Sequence, residues 1–388
     1  MTEQLASISF DHLVERLVGS EYGFASWRLP LEKKQHTIVC LNEVAQTDSS
    51  LADLSTGFLI NSFEENHPPR PFHIKADLIF SDGEAKIESK VNAELVDVFL
   101  SYMNRDTQRS KLADSISAKS KKHDPFEVLV EKAIQEINSG HFEKVVLSRF
   151  EDIQLPEDFS ISDFFDQVCE AYPNAFCSLV HLPGMGLWIG ASPELLISQD
   201  SVEFRTISLA GTKKIDTELP LSEIAWAQKE IEEQALVSRY IINRFKEIRL
   251  REFAEHGPKT IKAGNLAHLK TEYVVNLGEV QIDDLADQML NLLHPTSAVC
   301  GMPLEAASEF VLQNENYDRE FYSGFIGPVN FDGRTDLFVN LRCMKVEEGQ
   351  ARLFAGAGIT EDSVPANEFL ETEMKLEILS RLVNFKEN

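Results

Sequence analysis

The chain has 388 residues, with 37 basic against 63 acidic side chains and a formal net charge of −26. A surface this acidic repels phosphate backbones and anionic headgroups, whose binding depends on clustered Lys and Arg, so the balance argues against nucleic-acid and membrane partners. Hydrophobic residues at 43% and charged residues at 26% exclude disordered and fibrous classes and allow a sizeable core.

Length alone is compatible with two to three domains of about 150 residues, or with one large α/β unit. The opening MTEQLASISF has no basic stretch followed by a long apolar one, and no window reaches the roughly 18 apolar residues of a membrane span. Five cysteines (Cys40, Cys169, Cys177, Cys300, Cys343) are widely spaced with no C-x-x-C pair. They read as reduced core thiols of a cytoplasmic protein.

From residue 1 to about 109, short apolar runs (37–41, 58–63, 73–80) alternate with turn clusters such as His67-Pro68-Pro69-Arg70-Pro71 and Ser81-Asp82-Gly83. The polar, Ser- and Lys-rich stretch 110–124 reads as an exposed connection. It places a boundary near residue 115, with a β-rich half over 1–115 and a larger region over 116–388, the two together forming one unit. A helix follows over 125–138, with Val128, Leu129, Ala133, Ile134 and Ile137 at helical spacing and Gly140 beyond its end. Strands are expected at 144–150, 175–181, 186–189, 195–198 and 267–277, and a long helix over 219–252. Three more strands (323–330, 337–346, 351–354) precede a last helix over 364–383. The short turns Asp332-Gly333 and Glu348-Gly349 join neighbouring strands, which only antiparallel pairing allows. The expected class is α+β, a mixed α/β arrangement of antiparallel sheets with packed helices.

Two helices each carry glutamates three residues apart, Glu230 with Glu233 and Glu368 with Glu371. That spacing puts both carboxylates on one helical face, an edge suited to a hard cation such as Mg²⁺, although a solvated acidic face has the same pattern. Lys144 at a strand edge and Glu194 in a Ser-Pro turn are uninformative singly. The run Gly356-Ala357-Gly358 would let backbone N–H groups approach an anion, but it lacks the Lys-Ser/Thr of a P-loop. Arg342, set in the apolar strand VNLRCM, needs a partner, either a ligand carboxylate or an internal acid. His294 reads as a ligand or, more simply, as a packed histidine.

Nine motifs in order carry a resemblance: KVVLSR, GASPELL, LAGT, KEIEEQALV, HPTSAVCGMP, REFYSGFIG, NLRC, AGAGI and NEFLETEMK. Together they resemble the chorismate-utilising enzymes, nearest the isochorismate synthases among them, over the last two thirds of the chain. The resemblance implies two halves with antiparallel sheets forming a sandwich, and chorismate bound with Mg²⁺ in a cleft of the larger half. It assigns the metal to Glu233 and Glu371, with Glu230 and Glu368 adjacent. It gives the enolpyruvyl carboxylate to Arg342, Tyr322 and the backbone of Gly356, Ala357 and Gly358, sets Lys375 near the metal, and places Gly211, Thr212, His294 and Ala298 against the substrate. A dianionic substrate facing four glutamates needs a divalent ion between them.

In the same resemblance Lys144 is the general base that activates water for attack at C2, and Glu194 the acid that protonates the departing C4 hydroxyl. These roles require the Lys144 pKa to fall below about 10.4 and that of Glu194 to rise above about 4.3. Lys144 replaces the Gln of ammonia-using members, so no amidotransferase partner is expected, and Ala210 replaces the nucleophilic Lys of aminodeoxychorismate synthases. Ala298 favours isochorismate as product over salicylate, whose synthases tend to carry Thr. Salicylate formation and a non-catalytic chorismate-binding relative are the alternatives. Gln234 and Ser297 depart from the family's His and Pro. The expected assembly is a monomer or weak homodimer, serving menaquinone or siderophore synthesis.

Overall fold

The computed structural model describes residues 1–63, 69–88, 90–105, 125–214, 220–263, 266–347 and 349–383. The expected connection at 110–124 and its boundary lie outside the described residues. Helices α1 (Thr2–Ala6) and α2 (Phe10–Leu17) lead into β1 (Gly23–Arg28), β2 (Gln35–Cys40), β3 (Ala45–Gln46), β4 (Gly57–Asn61), β5 (Phe72–Lys75), β6 (Leu78–Ser81), β7 (Glu84–Ile87) and α3 (Ala93–Met103). Next come α4 (Phe126–Asn138), β8 (Lys144–Gln154), α5 (Ile161–Ala171), β9 (Phe176–Leu182), β10 (Gly186–Ser192), β11 (Leu195–Gln199) and β12 (Glu203–Lys214). The chain continues through α6 (Gln228–Glu247), β13 (Ala254–Ala263), β14 (Leu266–Asn276), α7 (Leu285–Leu293), β15 (Gly301–Met302) and α8 (Leu304–Asn314). It ends with β16 (Phe325–Val329), β17 (Thr335–Val339), β18 (Cys343–Glu347), β19 (Gln350–Ile359) and α9 (Pro365–Val383).

Two antiparallel sheets result, one of ten strands in the order β15-β8-β19-β18-β10-β9-β1-β2-β6-β7 and one of nine in the order β13-β14-β12-β11-β17-β16-β4-β5-β3. Between them lies a layer of large apolar side chains, among them Trp27, Phe58, Phe176, Trp188, Phe338 and Phe354. Phe176 and Phe338 stack across this layer with ring centroids 4.2 Å apart. Helices cover both outer faces. On one, α5 buries Phe164, Phe165, Val168 and Cys169 at helical spacing, and the side chain of its cap Ser160 accepts from Asp163 N–H. Each large apolar side chain so buried contributes about 1.5–3 kcal/mol. All five cysteines are buried and free. Among the described residues no helix is long and apolar enough to cross a membrane.

Four expectations need correction. The described part of residues 1–115 is not one half of the sandwich: β1, β2, β6 and β7 join the ten-stranded sheet and β3, β4 and β5 the nine-stranded one. Pairing drives this, since β1 lies against β9 and β4 against β16, which satisfies backbone edges that would otherwise be open. The helix expected over 219–252 is shorter, because Pro220 opens a separate 3₁₀ turn at Leu221–Glu223 and α6 starts only at Gln228. The long β12 was not expected as a strand, and neither was β13, whose Pro258 is tolerated at a register shift on the sheet's edge. The run 337–346 is two strands in different sheets, β17 and β18, broken where Arg342 takes a left-handed φ of 50°.

That break and a second one position everything that follows. The chain crosses from the ten-stranded to the nine-stranded sheet at Pro193-Glu194, between β10 and β11, and returns at Leu341-Arg342, between β17 and β18. The crossings are tied together, Val339 N–H donating to the Glu194 carbonyl and Ala191 N–H to the Arg342 carbonyl, at 2.9 and 3.0 Å. Gly190 permits the approach, since a Cβ there would lie 3.0 Å from that of Cys343.

A buried ion pair fixes β8 beside them. Arg319 and Glu315 are both almost fully buried and 2.6 Å apart. Glu315 also accepts from Ser148 N–H at 2.6 Å, while Arg319 donates to the carbonyls of Val146 and Val299. Arg319→Met would leave the Glu315 carboxylate buried without its cation, and we expect a loss of about 3–5 kcal/mol, read from the urea midpoint.

Candidate active site

A cleft opens between β8, β12, β19, the two crossings, α6 and α9. Of the sixteen site residues expected from the sequence, twelve line it: Lys144, Glu194, Gly211, Thr212, Glu233, Ala298, Tyr322, Arg342, Gly356, Gly358, Glu371 and Lys375. Leu209, Ala210, Leu341 and Phe354 add an apolar wall.

Lys144 is the first residue of β8 and is 4% exposed. Burial pulls its pKa below the ordinary lysine value, against Glu233 and Glu194, which favour the ammonium. Gly358 makes room for it, since a Cβ there would lie 3.0 Å from Lys144 Cε. Glu194, 5% exposed on the first crossing, is pushed up to about 7 by burial, although Lys144, Arg342 and Lys375 pull the other way. The two groups thus shift in opposite directions for one reason: removal from water disfavours charge on both. Arg342 on the second crossing has its pKa lowered by burial and forms no salt bridge with any described residue. Its guanidinium faces the cleft and remains available to an anion.

Tyr322 stacks on Phe354 at 5.4 Å, and burial pushes its hydroxyl up to about 12, so it faces the cleft as a neutral phenol. A Cβ on Gly356 would lie 3.0 Å from that hydroxyl and 2.8 Å from the Leu147 carbonyl. In the ladder, Gly356 stands opposite Ser148 and Gly358 opposite Val146. Ser148 and Val146 send their N–H groups the other way, to the Glu315 carboxylate and the Cys300 carbonyl. These are therefore the non-hydrogen-bonded pairs, and the N–H and C=O groups of both glycines turn from β8 toward the cleft. There the Gly356 carbonyl accepts from Lys375 Nζ at 2.7 Å.

The carboxylates come from facing helices. Glu233 on α6 and Glu371 on α9 line the cleft. Burial raises the Glu233 pKa, with Lys144 opposing and the like charge of Glu371 adding to the rise. Burial would also raise Glu371, but Lys375, bound to it at 2.6 Å, leads the cations that bring it below the carboxylate range. Glu368, one turn earlier on α9, is 1% exposed and bound by Lys229 at 2.6 Å. Among the described residues no three His, Cys, Asp or Glu side chains already converge on one point. The donor set is nonetheless all oxygen, repels itself and borders an open cleft, which suits a hard divalent cation that keeps several waters.

Residues 73–384 match the family model described as chorismate binding enzyme. The chain belongs to the chorismate binding enzyme family. Its relatives include the isochorismate synthase EntC of Escherichia coli K12, 32% identical over 65% of this chain and 65% of that protein. Isochorismate synthase DhbC of Bacillus subtilis is 28% identical over 65% of this chain and 66% of its own length. The chain thus spans about two thirds of the length of these curated relatives. The solved structure of MenF, the menaquinone-specific isochorismate synthase of Escherichia coli, matches with a TM-score of 0.77 at 21% identity, covering 97% of this chain and 92% of that one. Anthranilate synthase component I from Streptococcus pneumoniae matches with a TM-score of 0.63 at 18% identity, covering 94% and 93%. The fold is therefore shared by proteins named for different activities.

The remaining four expected residues sit elsewhere. His294 is packed, its Nε2 3.2 Å from both Asn61 Nδ2 and the Ser62 carbonyl and its ring edge-on to Phe325. Ala357 is opposite in phase to its glycine neighbours and points into the core beneath the sheet. Glu230 accepts from Ala227 N–H and caps α6, and Glu368 is held behind the cleft wall by Lys229. Glu230 also explains Gly211, whose φ is 69° and where a Cβ would lie 3.0 Å from the Glu230 Cβ.

Sequence reasoning missed His268. Its Nδ1 donates to the Gly211 carbonyl at 2.8 Å, its Nε2 is buried with no hydrogen-bond partner, and burial lowers its pKa to about 3. It is a neutral imidazole with a spare acceptor at the cleft wall. The available signal was a histidine between Ala267 and Leu269 in an otherwise buried strand.

The shift of Glu194 predicts a pH effect on stability. The unfolded carboxyl releases its proton near 4.5 and the folded one near 7, so between these values the folded protein binds the extra proton and stability falls as pH rises. Glu194→Gln removes this contribution. Urea unfolding across that window is expected to show the variant's slope flatter by roughly 3 kcal/mol in total.

Proposed function

We propose that this chain is a cytoplasmic, Mg²⁺-dependent isochorismate synthase that uses water as nucleophile and needs no amidotransferase subunit. The observation that carries the reading is the pair Lys144 and Glu194, two buried groups on one cleft whose pKa values are moved toward each other, down and up respectively. A base must be neutral and an acid protonated at working pH, and burial moves each group that way.

Chorismate carries two carboxylates. The enolpyruvyl carboxylate is taken by the Arg342 guanidinium, which has no competing salt bridge among the described residues, by the Tyr322 hydroxyl and by the N–H groups of Gly356 and Gly358. Glu233 and Glu371 would hold the metal, with Glu368 adjacent and able to join them once Lys229 releases it. Bound Mg²⁺ supplies the positive charge that offsets the ring carboxylate against these glutamates. Gly211 and Thr212 line the ring.

In the reaction, neutral Lys144 Nζ takes a proton from water as the water oxygen bonds to C2. The ring double bond shifts, the C4–O bond breaks, and Glu194 gives its proton to the departing hydroxyl. Water is lost and gained once, so the product is an isomer. The neutral Tyr322 and His268 hold the polar wall without adding charge beside the base.

Purified protein with chorismate and Mg²⁺ is expected to give isochorismate, separated from chorismate by retention and matched in mass; salicylate with pyruvate would replace the proposed reaction, and no metal-dependent product would replace enzyme with binding protein. Lys144→Ala and Glu194→Gln should each lower turnover by about 10²–10⁴-fold while both variants still unfold cooperatively. Because the acid form of Glu194 is required, kcat should decline above about pH 7.

A further inference from the structure

We propose that Lys229 is a built-in cation that holds the metal-side carboxylates in the metal-free protein and competes with Mg²⁺ for them. The inference rests on the metal reading given above and concerns a residue to which that reading assigns no role.

Lys229 stands one turn before Glu233 on α6. Its Nζ lies 2.6 Å from Glu368 Oε1 and 3.8 Å from Glu233 Oε1. It therefore reaches one carboxylate on each of the two helices, and it makes the one ion pair that joins α6 to α9 among the described residues. Glu368 has a side chain only 1% exposed, so its charge cannot be carried by water and needs a cation. Glu371 is supplied separately by Lys375 at 2.6 Å. The two helices otherwise pack on different neighbours, α6 against β12 and β14, and α9 against β19 and α4.

A divalent cation on these oxygens would do the same electrostatic task with twice the charge. It would also stand close to the Lys229 ammonium, a like charge in a site with little water. Binding therefore requires Lys229 to leave Glu368, and its side chain, 32% exposed, has solvent to move into. The lysine keeps the two helices in register while the site waits, and its displacement weakens the metal's apparent affinity.

The test titrates Mg²⁺ alone, without chorismate, into wild-type protein, Lys229→Met and Lys229→Arg, with isothermal calorimetry and thermal unfolding as readouts. Lys229→Met is expected to unfold at lower temperature when metal-free, because Glu368 has lost its cation, yet to bind Mg²⁺ about tenfold more tightly and gain more stability from it. Lys229→Arg, which keeps the charge, is expected to bind no more tightly than wild type. Metal binding by Lys229→Met at or below wild-type affinity overturns the competition while leaving the metal reading in place. Absence of saturable Mg²⁺ binding in all three proteins overturns the metal reading and the inference with it, and binding by Lys229→Met alone supports both.

Discussion

The structure depends on one constraint, the placing of charged groups out of water at the open end of an apolar sandwich. Lys144, Glu194, Arg342, Glu233, Glu371 and Lys375 share one cleft whose other walls are Leu209, Leu341 and Phe354. Burial disfavours the charge on each, and only their mutual proximity makes the set tolerable. The aromatic layer between the sheets, with Trp27, Trp188 and Phe176 fully buried, supplies the packing that makes such a concentration affordable.

Charge is balanced locally although the chain as a whole is strongly acidic. Three cations and three carboxylates line the cleft, against a net charge of −26 overall. Cations in and behind the cleft also have geometric tasks. Lys375 ties α9 to the Gly356 carbonyl, Lys229 ties α6 to α9, and the deeper Arg319 ties β8 to the segment before β15. Lys375 is bound to Glu371, whereas Lys144 and Arg342 form no ion pair with a described residue; with Lys144 placed as the base, Arg342 marks where an anion belongs.

Backbone shape matters as much as side-chain identity. Glu194 and Arg342 meet because both sit where the chain passes between sheets, and the left-handed turn at Arg342 is the break that lets β17 and β18 enter different layers. Gly356 and Gly358 serve two purposes. They leave room for the Tyr322 hydroxyl and the Lys144 side chain, and their position in the ladder directs their amides into the cleft.

By itself the sequence determined the class of fold, the antiparallel pairing around Gly333 and Gly349, and most of the residues that line the cleft, because turn chemistry, apolar periodicity and ordered motifs are properties of short segments. It did not reveal that the strands β1 to β7 feed both sheets, since strand partners are chosen by contacts between distant segments. Arg342 read as a strand residue because Val339, Leu341 and Met344 around it are apolar, and nothing local signals a change of sheet. His294 and His268 show the same limit from opposite sides: one, set against the substrate only by the resemblance, is packed as its own context suggested, and the other looked like part of a strand and faces the cleft with a free nitrogen. The shifts of Lys144 and Glu194 were a requirement that the family resemblance could state and only tertiary burial could meet, because desolvation depends on what surrounds a group in space.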